Sequence, residues 1–125
     1  MLTHAWRVLV SLHRERKKAR SSHWRSVRKT HLQAHPLCEA CGRKRRVQVH
    51  HIEPYHLVPA KELEPTNLLS LCMGRYECHL RIGHGDDWKA YNARVIEHAK
   101  AVMVTPAHRL IIENEAKVHR VYKTS

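Results

Sequence analysis

The placement of four cysteines is the feature that most constrains this chain. Cys38 and Cys41 stand at C-x2-C spacing, and Cys72 and Cys78 follow later in the sequence. Two short turns that each bring two thiolates are the usual way in which a chain builds a tetrahedral zinc site. In a reducing compartment such cysteines are more typical of metal ligands than of disulfides. We therefore predict a structural Zn²⁺ held by all four thiolates, with no open position for a substrate.

The second cysteine pair leaves alternatives open. Five residues separate Cys72 from Cys78, so the intervening loop, residues 73–77, must fold back to bring Cys78 to the metal. Three cysteines with His79, a set of buried thiols without a metal, and disulfide pairing remain the alternatives to the four-thiolate site.

The charge of the chain is strongly positive. It contains 23 Lys and Arg against 11 Asp and Glu, which gives a formal charge of +12. For a small domain this balance indicates a polyanion partner, and nucleic acid is the leading one. No apolar run approaches the roughly 18 residues that a membrane span needs, and no signal peptide is recognisable at the start. We expect a soluble, cytoplasmic protein with no membrane partner.

Two basic helices are predicted before the first cysteine. The first covers residues 4–20, and the second starts at a Ser22 cap, places Trp24, Val27 and His31 or Leu32 on one face, and ends before Pro36. Their cations either bind nucleic-acid phosphates or form a solvated face. The candidates for phosphate binding are Arg14, Arg16, Lys17, Lys18, Arg20, Arg25, Arg28 and Lys29.

The central segment is predicted to run strand, loop, strand, helix. Residues 46–52 alternate as a strand does, residues 68–72 form a short apolar strand, and residues 76–82 form one or two helical turns. After them, Asp86 or Asp87 caps a helix, and Thr105-Pro106 opens another. The apolar positions predicted for these two helices are Trp88, Tyr91, Val95 and Ala99, then Leu110, Ile111, Val118 and Val121.

These elements predict an α+β fold in three parts. Residues 1–36 form a basic helical extension, residues 37–85 form the zinc-clamped core, and residues 86–125 form a helical segment that packs on it. Trp24 and Trp88 are interpreted as core residues rather than as platforms for base stacking.

Histidines inside the cysteine frame point to a second, hydrolytic metal centre. His50 and His51 project to opposite sides of a strand, so one suits a metal and the other a water molecule. An Asn67 side-chain carbonyl can bond one ring nitrogen and fix the tautomer of a neutral imidazole that takes a proton from water. His79 completes the metal site with His50. His84 is a provisional third ligand, because four residues separate it from His79 where three would place them one helical turn apart.

Together these residues resemble the HNH endonucleases, which have a ββα-metal fold. The resemblance covers residues 38–84 and rests on Val49-His50-His51-Ile52, Asn67-Leu68-Leu69 and Cys78-His79, framed by Cys38-x2-Cys41 and Leu71-Cys72. The preceding Trp24-Arg25-x2-Arg28 and Pro36-Leu37-Cys38 are similar to the lead-in of HNH proteins common in phages and mobile elements.

The resemblance implies residue roles and a reaction. His51 corresponds to the general base, Asn67 to the residue that orients it, and His50 and His79 to ligands of a divalent ion. That ion would be Mg²⁺, Mn²⁺ or Ni²⁺. The substrate would be DNA, most readily double-stranded, nicked or cut in both strands, with 5′-phosphate and 3′-hydroxyl products. Arg75 or Arg81 is a further candidate for contacting the phosphate.

Two non-catalytic hypotheses compete with this one. A zinc-ribbon module would use the same cysteine clamp and basic helices to bind nucleic acid without cutting it. An accessory subunit, for instance of a phage packaging or restriction complex, would need a protein partner before it cut.

Overall fold

The computed structural model describes residues 20–124, so the predicted first helix lies almost entirely outside the described residues. The chain mixes helices with two small antiparallel sheets and is an α+β protein, as predicted. Three single turns of 3-10 helix connect the longer elements. In chain order these are α1 (Trp24–Ala34), β1 (Val47–His51), β2 (Leu68–Cys72), a π-helix (His79–Gly83), β3 (Ala90–Asn92), α2 (Val95–Val104), α3 (Arg109–Val118) and β4 (Arg120–Tyr122).

The centre of the molecule is the antiparallel pair β1–β2. Its register sets Val47 opposite Cys72 and His51 opposite Leu68. All five residues of β2 are buried, because α1 and the π-helix both pack against the two strands. The two strands followed by the π-helix form the predicted strand–strand–helix unit, and the strand bounds differ from the predicted ones by one residue at most.

A single hydrophobic cluster joins this unit to the rest of the chain. It contains Cys38, Leu71, Cys78 and Ile82 from the centre, and Val95, Ala99, Val102 and Ile112 from the two later helices. Strand β3 pairs with β4, which brings residue 90 opposite residue 122 near the end of the chain. The division into three parts at residues 36 and 85 stays a prediction.

The structure corrects several local predictions. Helix α1 begins at Trp24 after an N-cap His23 that makes no side-chain capping bond, so the predicted Ser22 cap is wrong. The segment after Asp87 forms a turn and β3 rather than a helix, and the next helix begins only at Val95. Trp88 is 47% exposed and is not a core residue.

The apolar face predicted for the last helix is also wrong. Helix α3 buries Ile112, Glu113 and Ala116. It leaves the predicted set exposed, namely Leu110, Ile111, Val118 and Val121. This face is buried because Ile112 joins the hydrophobic cluster and because Ala116 lies against the turn, where a Cβ at Gly85 would lie 2.7 Å from its carbonyl oxygen. No helix within residues 20–124 has the length and apolar character needed to cross a membrane.

Candidate metal centre

The four cysteines come together as one cluster. Their sulfur atoms all lie within 4.8 Å of one another, and none forms a disulfide. The long second loop closes because the backbone N–H of Glu77 donates to Gly74 O at 3.0 Å and Glu77 adopts a positive φ of 48°. His79 belongs to a different cluster, so the fourth sulfur is that of Cys78.

The electrostatics of these thiols suit a bound cation. A hydrogen bond from the Cys78 thiol lowers the pKa of Cys38 to about 4. The same bond and burial raise the pKa of Cys78, and burial raises that of Cys41 to about 11. One thiolate is thus stable in this cluster, but four are stable only around a cation. The tetrad therefore suggests a structural zinc.

Three histidines form a second cluster. A ring nitrogen from each of His50, His79 and His84 lies within 4.8 Å of the others. The spacing that made His84 provisional is resolved by the helix type. The backbone N–H of His84 donates to His79 O at 3.1 Å, an i to i+5 bond that defines a π-helix. Because this turn is wider than an α-helical one, residues five apart face the same way.

Hydrogen bonds fix the ring orientation of two of these histidines. Nδ1 of His84 donates to the carbonyl oxygen of Ala90 at 2.6 Å, and Nδ1 of His79 donates to Oε1 of Gln48 at 2.8 Å. The two Nε2 atoms therefore keep their lone pairs and face each other at 3.3 Å. His50 has a buried Nε2 without a hydrogen-bond partner among residues 20–124. Three imidazole nitrogens, two of them on rings whose other nitrogen is hydrogen-bonded, form a donor set that fits a divalent transition-metal ion.

The protonation states agree with that fit. Burial lowers the pKa of His79 to about 3 and that of His84 to about 4. Burial also places the pKa of His50 well below its ordinary value of 6.5. All three imidazoles are neutral near pH 7, which is the form that binds a metal.

His51 lies on the other face of β1, as strand alternation predicts. Its ring rests 4.5 Å from that of Trp24, between centroids, and its Nε2 donates to the carbonyl oxygen of Glu62 at 2.9 Å. Nδ1 is consequently the basic nitrogen. Burial lowers the pKa of His51, and the bond to Glu62 opposes that shift.

Asn67 does not bond the His51 ring, so the predicted direct contact is wrong. Its Oδ1 accepts from the backbone N–H of Glu53 at 2.8 Å. Its Nδ2 donates to the carbonyl oxygens of Glu53 and Lys61, each at 3.0 Å. The amide thus ties together both ends of the loop at residues 53–61, and the next residue, Glu62, presents the carbonyl that holds His51. Asn67 therefore contacts His51 only indirectly, through the loop that it holds together.

An open cleft of about 290 Å³ brings His51 and the three clustered histidines to one surface, and His56 lines it as a fifth histidine. The strand ends there, so His50 and His51 both reach it although they start from opposite faces. A larger pocket of about 370 Å³ contains Asn67 but none of these histidines. The cleft is lined by Arg20, Val49, His50, His51, Pro54, Tyr55, His56, His79, His84, Trp88 and Lys123.

The predicted phosphate-binding cations are distributed unevenly. Arg20 stands at the cleft, stacked on Trp24 at 4.9 Å and on Tyr55 at 4.3 Å. Arg25, Arg28 and Lys29 are exposed on α1 but do not line the cleft, and neither do Arg75 and Arg81. Four of the predicted residues lie outside the described part of the chain: Arg14, Arg16, Lys17 and Lys18.

Sequence reasoning missed three groups at the site. Gln48 had a signal, because it lies two residues before His50 on a strand and therefore on the same face. The backbone carbonyls of Glu62 and Ala90 gave no signal in the sequence, because every residue has a backbone carbonyl whatever its side chain.

Two strands and a helix that place a histidine cluster beside a cysteine tetrad define a ββα-metal domain. Residues 38–85 match the family model for HNH endonucleases. The matched segment contains both clusters and ends just after His84. No curated protein and no solved structure matches the chain.

Proposed function

We propose that the protein is a metal-dependent endonuclease that hydrolyses DNA phosphodiester bonds, with His51 as general base. The match of residues 38–85 to the HNH endonuclease model supports nuclease activity in general. The observation that carries the specific assignment is the shared cleft, because it holds a neutral base beside three neutral metal ligands.

His51 performs the proton transfer. Its Nδ1 takes a proton from a water molecule as the water oxygen attacks phosphorus. The Nε2–H bond to the Glu62 carbonyl then stabilises the imidazolium that forms. Trp24 restricts the ring on one side, and Asn67 keeps the loop that ends at Glu62 in place. The base is thereby oriented before substrate arrives.

His50, His79 and His84 would hold the divalent ion, and their three nitrogen ligands suit Mn²⁺ or Ni²⁺ better than Mg²⁺, which prefers oxygen ligands. When bound, that ion supplies Lewis-acid stabilisation of the charge on the phosphate and on the leaving 3′ oxygen. Gln48 and the Ala90 carbonyl keep two of the rings aimed at it. Hydrolysis in this sense leaves a 5′-phosphate and a 3′-hydroxyl.

The surface charge supports a nucleic-acid substrate. Arg25, Arg28 and Lys29 on α1 are exposed, and backbone phosphates are the sequence-independent partner of such cations. With a formal charge of +12, binding should weaken steeply as salt rises.

Plasmid relaxation in the presence of each ion tests the proposal. The His51→Ala variant should lose at least about 100-fold in rate, the usual contribution of a general base. The exposed His108→Ala serves as the matched control and should cut normally. Undiminished cutting by the His51 variant would overturn the assignment.

Two other results would favour the competing functions. DNA binding without cleavage in all three ions would favour a non-catalytic zinc module. Cleavage only after a partner protein is added would favour an accessory subunit.

A further inference from the structure

Lys123 lines the same cleft as the four histidines, although it lies well beyond residue 85, where the family match ends. It follows β4 directly. Its backbone N–H donates to the carbonyl oxygen of Lys89 at 2.9 Å, and its Nζ donates to the carbonyl oxygen of Trp88 at 3.1 Å. The backbone and the ammonium group of this half-buried residue are therefore both bonded to the segment just before β3.

The charge around Lys123 leaves its ammonium group available for an anion. Among residues 20–124, no carboxylate lines the cleft and no carboxylate oxygen lies within 4.0 Å of Nζ. Arg20, the other cation of the cleft, approaches Glu62 at 4.0 Å. An ammonium carries three N–H donors, so the single bond to Trp88 leaves two of them for a ligand.

The β3–β4 sheet also reaches the histidine cluster. Ala90 of β3 accepts the hydrogen bond that orients His84. Trp88, whose carbonyl holds Lys123, places its indole ring 4.8 Å from the His84 ring. One small sheet therefore fixes both a candidate metal ligand and a cation next to it.

We propose that Lys123 binds a phosphate of the nucleic-acid strand held in the cleft, beside the histidine cluster. This inference rests on the proposed function and adds the phosphate-binding group to it. The anion is held by charge-assisted hydrogen bonds from Nζ, which strengthen as negative charge accumulates on the phosphate oxygens. Arg75 and Arg81, the earlier candidates for this contact, lie away from the cleft.

Single-turnover cleavage separates this role from a structural one. Lys123→Met should slow cleavage by roughly 100-fold, comparable to the loss of one oxyanion donor, whereas Lys123→Arg should recover most of the rate. Manganese affinity and the melting temperature should stay at wild-type values in both. Lys89→Met is the matched control, because Lys89 is an exposed lysine next to the same sheet, and it should cut at the wild-type rate.

Salt dependence of binding gives a readout that does not require cutting. In the His51→Ala background, adding Lys123→Met should reduce the slope of log binding constant against log salt by about 0.9, the value for one lost phosphate contact. If the wild-type protein cuts no DNA, the proposed function fails, and a reduced slope still supports phosphate binding by Lys123. If the wild-type protein cuts and Lys123→Met matches it in rate and salt slope, the assignment of Lys123 is overturned.

Discussion

Gly83 packs directly on the imidazole ring of His50. A Cβ atom at residue 83 would lie 3.1 Å from Nδ1 of His50 and 3.1 Å from Cδ1 of Leu71. Both neighbours are fully buried, so neither has free space into which it can retreat. The missing side chain therefore sets how closely the π-helix approaches β1, and with it the distance between His50 and the other two histidines.

Gly83→Ala should consequently disturb the histidine cluster. We expect a loss of about 1–3 kcal/mol in the free energy of unfolding, typical of overpacking, and weaker manganese binding. Gly74→Ala is the control, because its Cβ would meet only Arg45 O at an ordinary 3.4 Å. Thermal unfolding and titration calorimetry measure both effects. Wild-type values for Gly83→Ala would show that the π-helix is not held at this distance.

Gln48→Leu should weaken binding of the divalent ion while leaving the fold intact. The substitution removes the acceptor for Nδ1 of His79, and losing such an outer partner typically costs about 10–100-fold in metal affinity. The Gln48 side chain is exposed, so stability should change little. Gln33→Leu, at an exposed position of α1, is the control. Calorimetry with manganese gives the affinities, and equal values for the two variants would contradict the role of Gln48.

Asn67→Asp should impair both stability and cleavage. A carboxylate keeps the acceptor for Glu53 N–H but loses the two N–H donors to Glu53 O and Lys61 O. The part-buried carbonyl of Glu53 then lacks a partner, which costs about 1–3 kcal/mol, whereas that of Lys61 keeps its bond from the backbone N–H of Glu64. Urea unfolding measures the first effect and plasmid relaxation the second. A stable Asn67→Asp protein with full activity would show that the loop does not need this brace.

Stability of the protein free of the catalytic ion should fall on acidification. The folded-state pKa of His79 is about 3 and that of His84 about 4, against an ordinary value of 6.5. Between pH 6.5 and about 4 the unfolded chain therefore binds protons that the folded chain does not. Each such imidazole removes up to about 1.4 kcal/mol per pH unit in that window. Above pH 6.5 both imidazoles are neutral in the folded and in the unfolded chain, so they no longer change the free energy of unfolding with pH.

Urea unfolding at pH 7 and pH 5 checks the sign and the residue. His84→Gln should lose less stability between the two values than the wild type does. The exposed His108→Gln should behave as the wild type. A wild-type protein equally stable at both values would contradict the lowered pKa values.

Cys78→Ser should abolish zinc binding and with it the stable core. Cys78 is fully buried and belongs to the same cluster as Leu71 and Ile82, so an absent zinc would leave the cluster with unpaired buried thiols. Elemental analysis should find one zinc per wild-type chain and none in this variant. His79→Asn is the contrast, because it should retain the zinc and lose only affinity for the second ion. Retention of zinc by Cys78→Ser would point to a different ligand set.

The central fold could be predicted because its determinants are local. Alternation in residues 46–52 and the apolar run at 68–72 specify two strands, and the cysteines at either end specify how those strands are closed. The placement of His50 and His51 on opposite faces of β1 follows from strand periodicity alone. The same reasoning identified the two sets of candidate ligands that the fold brings together.

What sequence could not provide depends on tertiary contacts. The π-helix at His79 is a backbone conformation without a residue signature, so the spacing of His79 and His84 left His84 only a provisional ligand. The buried face of α3 depends on the packing of Ile112 in the hydrophobic cluster and on the close approach of Ala116 to Gly85, and neither contact is visible in the apolar pattern. The carbonyls that orient His51 and His84 are backbone groups of Glu62 and Ala90, and neither side chain predicts such a bond.

The adjacency of Cys78 and His79 has a mechanical consequence. Cys78 of the tetrad and His79 of the histidine cluster are consecutive residues, with no flexible segment between them. A displacement of the Cys78 backbone therefore also displaces His79. Damage that reaches only the thiols, such as oxidation, would therefore misalign the histidines as well. The cysteine tetrad and the histidine cluster are thus linked directly through the backbone of Cys78 and His79.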